Sequence, residues 1–140
     1  MKRRDFILTA TAASATLAMP GIANAFVGQA YSKNAVKKAL ANGETVFLDF
    51  YTDWCTTCAA QGRTITALVR ANPAYKEHIT FIKVDWDLHK KSSLARSLKI
   101  PRRSTLVALK GDRELGRIVA GTSKKDIKAL LDTALGAAMA

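Results

Sequence analysis

The segment Thr45–Tyr51 constrains the fold of this chain more than any other feature of the sequence. It reads Thr-Val-Phe-Leu-Asp-Phe-Tyr, a β-branched and aromatic run that is apolar at nearly every position. A strand of this kind is buried on both faces, which requires a sheet with helices on each side. Asp49 interrupts the run, and a carboxyl at a buried position is unfavourable unless it is paired or has a chemical function. We therefore predict an α/β protein with a functional acid in a central strand.

The rest of the chain supplies the other strands and the helices that such a sheet needs. Helices are predicted at 33–42, from the cysteine motif to about 71, at 92–98 and from 123 onward, and strands at 79–84, 105–109 and 115–120. A strand–helix–strand order gives a parallel pair with a right-handed crossover, and the late hairpin adds antiparallel strands. At 140 residues, the chain is one domain at most. The expected architecture is a central mixed β-sheet flanked by helices on both faces.

Residues 1–25 have the pattern of an export signal. A basic start at 2–4 precedes a run rich in Ala, Thr and Leu, and Ala23-Asn24-Ala25 places small residues where a signal peptidase reads. Residues 3–7, Arg-Arg-Asp-Phe-Ile, resemble a twin-arginine signal; the flanking residues depart from that pattern, so general secretion is the alternative. The apolar run of 14 residues is shorter than the about 20 that cross a bilayer. We expect cleavage after Ala25, a periplasmic domain of residues 26–140 and no stable membrane insertion.

Cys55 and Cys58 are the two cysteines of the chain, and their spacing indicates a redox pair. They lie where a strand ends and a helix begins. Backbone N–H groups and the dipole at a helix N-terminus stabilise a thiolate, which lowers a thiol pKa from about 8.5 into a range of about 3.5–7.5. Cys58 follows one turn later on the same side, so it can attack a mixed disulfide formed at Cys55. We predict that Cys55 is the nucleophile, Cys58 the resolving thiol, and that the two form a disulfide.

Other uses of two cysteines fit the sequence less well. A structural disulfide between residues three apart closes a very short loop and constrains the unfolded chain little. A c-type haem needs His directly after the second Cys, where this chain has Ala59. A zinc site needs two further ligands, for which the available histidines are His78 and His89. We therefore predict no cofactor and no metal.

Residues 47–58, Phe-Leu-Asp-Phe-Tyr-Thr-Asp-Trp-Cys-Thr-Thr-Cys, resemble the active-site segment of the thioredoxin family, and the similarity extends from about Ser32 to Leu135. Asp53-Trp54-Cys55 is similar to the soluble domains of periplasmic thiol:disulfide interchange proteins. The resemblance implies a thioredoxin-like fold and disulfide exchange with protein substrates. It also implies an electron donor, for which we expect a membrane thiol-transporting reductase. The Thr56-Thr57 spacer does not fix the direction of exchange, and we favour reduction over oxidation.

The same resemblance implies roles for four further residues. Asp49 matches the family's buried acid, which exchanges a proton with the second cysteine, and burial raises its pKa toward that use. Lys83 matches the lysine beside this acid. Gly121 matches a glycine that lets a substrate chain approach, and Trp54 is expected to line the docking surface. The alternatives are a satisfied polar residue at a strand end for Asp49 and a packing aromatic for Trp54.

The loop before Thr105 departs from the family pattern. The family places a cis-proline, usually followed by Thr, opposite the dithiol, whereas this chain has Ser104 before Thr105. Either Pro101 is the cis-proline in an enlarged loop or Ser104 replaces it; we favour replacement, because Thr105 then begins its strand in register. A non-proline cis bond costs ~3–4 kcal/mol, so a trans bond at Ser104 is an alternative.

A hydroxyl in place of the proline ring is expected to open space beside the two sulfurs and to affect substrate binding at Ser104. Soft thiolates without an obstructing ring bind copper or an iron–sulfur cluster shared between two chains. The rival prediction is therefore a non-enzymatic metal-binding module that uses Cys55 and Cys58.

Basic residues are concentrated next to this loop. The chain has a net charge of +11, and six of the residues from 90 to 103 are Lys or Arg, among them Arg102 and Arg103. Such charge stabilises a thiolate and attracts an acidic substrate, for which Arg103 is the candidate contact. A solvated basic face is the alternative. Nucleic acid is disfavoured as a partner, because the protein is predicted to be exported and no aromatic platform lies among the basic residues.

Overall fold

The computed structural model describes residues 28–140, so the predicted export signal lies outside the described part of the chain. In chain order the elements are β1 (Gln29–Ala30), α1 (Lys33–Ala41), β2 (Thr45–Tyr51), α2 (Thr56–Ala71), α3 (Ala74–His78), β3 (Ile79–Asp85), α4 (Trp86–His89), α5 (Ser93–Ser97), β4 (Thr105–Lys110), β5 (Arg113–Val119) and α6 (Lys124–Met139). Within this range, no helix combines the length and the apolar character that a membrane span needs.

The sheet has the strand order β1-β3-β2-β4-β5, which places β2 in the centre. β3 is parallel to both β1 and β2, whereas β4 is antiparallel to β2 and to β5. The parallel pair follows from the α2 crossover and the antiparallel pair from the hairpin at Gly111, whose φ of 60° suits a tight turn. The mixed sheet predicted from the sequence is confirmed.

The side chains of β2 alternate between two apolar cores. Val46, Leu48 and Phe50 pack with residues of α1 and α5 on one face of the sheet. Phe47 packs on the other face with residues of α2, α3 and α6. Because successive side chains of a strand point to opposite faces, Asp49 shares the face of Phe47. The fold thus places this carboxyl beneath α2, the helix that begins at the cysteine motif.

Three of the helices that the sequence predicts begin after a capping serine. The hydroxyls of Ser32, Ser92 and Ser123 each accept a hydrogen bond from a backbone N–H three residues later, at 3.0, 3.1 and 3.3 Å. The sequence patterns do not predict β1, α3 or α4, which are too short to show periodicity. β5 ends at Val119 rather than at the predicted Ala120, whose φ of 61° takes the backbone out of the strand.

Candidate active site

Cys55 and Cys58 lie at the start of α2, as the sequence predicts. Cys55 is the N-cap of the helix and Cys58 is in its first turn. The two are joined as a disulfide with a Cα–Cα distance of 5.2 Å. The Cys55 sulfur accepts a hydrogen bond from the backbone N–H of Cys58 at 3.1 Å. Cys55 therefore has both the backbone donor and the helix dipole that stabilise a thiolate.

Ser104 lies against both sulfurs. Its Oγ is 3.2 Å from the sulfur of Cys55 and 3.1 Å from that of Cys58. Thr105 begins β4, in agreement with the register argument, while Pro101 is exposed. No peptide bond within residues 28–140 is cis. Ser104 thus faces the dithiol through a trans bond, and the opening expected beside the sulfurs is filled by its hydroxyl, since each cysteine is only 5% exposed.

Gln61 holds the Ser104 loop and was not identified from the sequence. This side chain is fully buried on α2. Its Nε2 donates to the carbonyl oxygen of Ser104 at 3.0 Å and to that of Gly121 at 2.9 Å. The sequence pattern that could have identified Gln61 is the helical spacing of Cys58, Gln61, Ile65 and Leu68. These four residues form the buried face of α2, and Gln61 is the polar one.

A polar cavity of about 170 Å³ lies between Asp49 and the disulfide. It is lined by Asp49, Tyr51, Thr52, Asp53, Cys55, Cys58, Ala59, Gly62 and Lys83. Lys83 is opposite Asp49 on the parallel strand β3, and its Nζ lies 4.1 Å from the ring centroid of Tyr51. The structure therefore brings the predicted acid, the predicted lysine and both cysteines to one space.

Asp49 is a buried acid rather than a satisfied residue at a strand end. It is the fifth residue of β2 and is 2% exposed. Its Oδ1 has no hydrogen-bond partner among residues 28–140. Burial raises the pKa of Asp49 to about 6, an effect that the positive charge of Lys83 partly opposes. A carboxyl with this pKa can accept or release a proton near neutral pH.

Trp54 and Arg103 form a rim beside the disulfide. Trp54 is 61% exposed, so it is not a packing aromatic of the core. Its Nε1 donates to the carboxylate of Asp87 at 2.8 Å, and the guanidinium carbon of Arg103 lies 4.3 Å from the centroid of the Trp54 ring. The rim combines an exposed aromatic surface with a positive charge.

Gly121 lies close to the same loop, and packing alone requires a glycine there. A Cβ at this position would lie 2.8 Å from Cγ2 of Ile118. Its carbonyl oxygen is held by Gln61. The group that closely approaches Gly121 is therefore the side chain of Ile118, within the protein itself. A role of Gly121 in substrate binding stays a prediction.

The described residues contain no cluster of three or more His, Cys, Asp or Glu side chains that could hold a metal ion. An iron–sulfur cluster at Cys55 and Cys58 would need further ligands from another molecule, such as a second chain that shares the cluster.

Comparisons with known proteins agree with this architecture. The model of the thioredoxin family matches residues 27–133. The thioredoxin of Chlamydia trachomatis is 30% identical over 98 residues, 70% of this chain and 88% of that protein. Thioredoxin 2 of Plasmodium falciparum is 28% identical over 103 residues, which are 74% of this chain but only 62% of that protein.

A similar solved structure is that of Trxlp from Edwardsiella tarda, with a TM-score of 0.64 and 31% sequence identity over 74% of this chain and 98% of that one. The family match covers every element from α1 to β5 and most of α6. On this match, on the strand order and on the cysteine pair at the start of α2, the chain belongs to the thioredoxin family.

Proposed function

We propose that this protein is a thiol–disulfide oxidoreductase that reduces disulfides of protein substrates. The observation that carries the proposal is the Cys55–Cys58 disulfide at the N-terminus of α2, with Asp49 across the polar cavity from it. Membership of the thioredoxin family supports exchange chemistry in general, and reduction is the direction we favour because the similar proteins are thioredoxins.

The reaction follows from the position of each group. The Cys55 thiolate attacks one sulfur of a substrate disulfide and forms a mixed disulfide, and the other substrate sulfur leaves as a thiolate that takes up a proton. Cys58 then transfers its proton to Asp49 and attacks the sulfur of Cys55. The second substrate sulfur leaves as a thiolate, which takes up a proton. Two electrons pass to the substrate, and the Cys55–Cys58 disulfide remains.

Substrate docking is assigned to the rim of Trp54 and Arg103. The exposed indole offers an apolar surface, and the guanidinium beside it favours an acidic segment near the substrate disulfide. The proposed electron donor, which returns the disulfide to the dithiol, is a membrane thiol-transporting reductase.

Reduction of insulin by dithiothreitol, with catalytic amounts of the metal-free protein, tests this function. We expect precipitation of the insulin B chain well before it appears in the uncatalysed reaction. The matched control is the same protein with both thiols alkylated by iodoacetamide, which we expect to be inactive. A metal-free protein that leaves the rate unchanged would refute the proposed function.

The rival function is binding of copper or an iron–sulfur cluster by the two thiolates, although the Ser104 hydroxyl occupies the space that a missing proline ring was expected to leave. Anaerobic purification followed by metal analysis separates the two functions. We expect substoichiometric metal in the wild type and in Cys55→Ser alike. Stoichiometric metal in the wild type that disappears in Cys55→Ser would establish the rival instead.

We further propose that residues 1–25 direct export to the periplasm and are then removed. The support is the sequence pattern of a basic start, a short apolar run and Ala23-Asn24-Ala25. We expect the protein from a periplasmic extract to begin at Phe26, and the double variant Arg3→Lys/Arg4→Lys to remain in the cytoplasm. Export of the double variant would indicate the general secretory route, and a cytoplasmic wild type that begins at Met1 would refute export.

A further inference from the structure

We propose that the Ser104 hydroxyl is a catalytic hydrogen-bond donor to both sulfurs in turn, and that Gln61 is the residue that positions it. This inference deepens the proposed exchange reaction and rests on it. It concerns how the thiolates are stabilised, so it has a measurement of its own that does not need a protein substrate.

The direction of the hydrogen bond follows from the chemistry of the sulfurs. Oγ of Ser104 lies at nearly equal distances from Cys55 and Cys58, 3.2 and 3.1 Å. A disulfide sulfur carries no hydrogen, so the hydroxyl must be the donor in the oxidised protein. When the disulfide opens, the acceptor becomes a thiolate, and hydrogen bonds to an ionised acceptor are roughly twice as strong as neutral ones. The hydroxyl therefore stabilises the thiolate selectively.

Negative charge moves from one sulfur to the other during exchange. It resides on Cys55 before attack on the substrate and on Cys58 before resolution of the mixed disulfide. In the disulfide form Oγ is within hydrogen-bond distance of both sulfurs, so rotation of the hydroxyl about its Cβ–Oγ bond redirects the donor from one sulfur to the other. The backbone N–H of Cys58 donates to the sulfur of Cys55. The hydroxyl of Ser104, in contrast, can also donate to the sulfur of Cys58.

The backbone of Ser104 is held in an unfavourable conformation. Its φ of +63° is in the left-handed region, which a serine adopts rarely. Its N–H donates to the carbonyl of Phe50 at 2.7 Å, and its own carbonyl accepts from Ala120 N–H at 2.8 Å. Gln61 Nε2 adds a second donor to the same carbonyl. These contacts offset the strain and aim the hydroxyl at the sulfurs.

Gln61 is a polar side chain at a buried position of α2 where an apolar side chain is expected. It is fully buried in line with Ile65 and Leu68, and its Oε1 has no partner among residues 28–140. A buried amide with an unpaired oxygen is unfavourable. The same amide donates two hydrogen bonds, to the carbonyl oxygens of Ser104 and Gly121, and these offset the cost of its unpaired oxygen. We therefore identify Gln61 as a positioning residue.

The pKa of Cys55 in the reduced protein tests the role of the hydroxyl. It can be obtained from the pH dependence of thiolate ultraviolet absorbance and of alkylation by iodoacetamide. We expect a rise of about one to two pH units in both Ser104→Ala and Ser104→Gly, the size expected for loss of a hydrogen bond to a charged group. The other charged groups near the sulfurs are unchanged in both variants; they are Asp49, Asp53 and Lys83 around the polar cavity and Arg103 at the rim.

The two variants separate the hydroxyl from the backbone. Alanine removes Oγ and retains the strain of a positive φ, whereas glycine removes Oγ and relieves it. An equal rise of the Cys55 pKa in Ser104→Ala and Ser104→Gly is therefore caused by loss of the hydroxyl. Ser97→Ala is the matched control, because this exposed hydroxyl donates to the carbonyl of Leu94 in α5, on the opposite face of the sheet. An unchanged Cys55 pKa in Ser104→Ala and Ser104→Gly would overturn the proposal.

The part played by Gln61 is tested by Gln61→Met, which keeps the length of the side chain and removes both donors. We expect a rise in the Cys55 pKa smaller than that of Ser104→Ala, and no further rise when the two changes are combined, because Gln61 acts through Ser104. Additive shifts in the double variant would contradict the positioning role. A protein that fails to reduce insulin still yields these pKa values, so failure of the proposed function is distinguishable from failure of this inference.

Discussion

The Cys58→Ser variant is expected to accumulate as a mixed disulfide with its substrate, whereas Cys55→Ser is expected to form no such adduct. Cys55 is the N-cap of α2 and accepts the N–H of Cys58, so it retains its stabilised thiolate when Cys58 is replaced. Without the resolving sulfur, the adduct at Cys55 is not released. Removal of Cys55 eliminates the nucleophile, and we expect exchange to fall by at least about a thousandfold, as when other covalent nucleophiles are deleted.

Each cysteine variant is the matched control of the other, because both break the same disulfide by the same change of one atom. Loss of the disulfide itself is expected to affect stability little, since residues three apart close a very short loop. Incubation with insulin followed by non-reducing electrophoresis and mass spectrometry detects the adducts. Adducts at Cys58 in the Cys55→Ser variant, with none in Cys58→Ser, would reverse the assignment of the two sulfurs.

The Asp49→Asn variant is expected to be more stable than the wild type at neutral pH and slower in the resolution step. Burial raises the pKa of Asp49 to about 6 from a usual value of 3.8. Between these values the folded protein binds more protons than the unfolded chain, so stability decreases as the pH rises through this window. Full ionisation by pH 7 lowers the free energy of unfolding by about 3 kcal/mol. Asparagine carries no charge and removes this dependence.

Two measurements check the prediction for Asp49. Urea unfolding of the oxidised protein should show a stability difference that is small near pH 4 and reaches about 3 kcal/mol by pH 7. Single-turnover kinetics should show release of the substrate slowed by about a hundredfold or more, the contribution of a general base. Asp112→Asn, at an exposed carboxyl in the turn between β4 and β5, is the control. A variant that is less stable at pH 7, or resolves at the wild-type rate, would contradict the role.

The sequence predicts the fold well where local pattern and tertiary environment agree. The run Thr45–Tyr51 forms the central strand with the predicted bounds, because its composition suits a position buried on both faces. The position of the cysteine pair follows from the same strand. Because β2 ends at Tyr51 and α2 begins at Thr56, Cys55 and Cys58 lie at the N-terminus of the helix. The burial of Asp49 follows directly from these two features.

The parts of the site that the sequence does not predict depend on contacts between distant segments. Serine at positive φ is contrary to its local preference, and the conformation of Ser104 is fixed by hydrogen bonds to Phe50, Gln61 and Ala120. The partner of Trp54 is Asp87, 33 residues away, on a helix of four residues without a periodic pattern. Pairings of this kind appear only when the chain is folded.

The reduction potential of the Cys55–Cys58 pair tests most directly whether this disulfide is an exchange centre or a structural link. The protein can be equilibrated with glutathione buffers of known potential, and the free thiols then alkylated and counted by mass spectrometry. We predict a reversible two-electron couple with a potential between about −270 and −120 mV, the range of exchange-active pairs. A pair that remains oxidised to below about −300 mV, as structural disulfides do, would contradict the account.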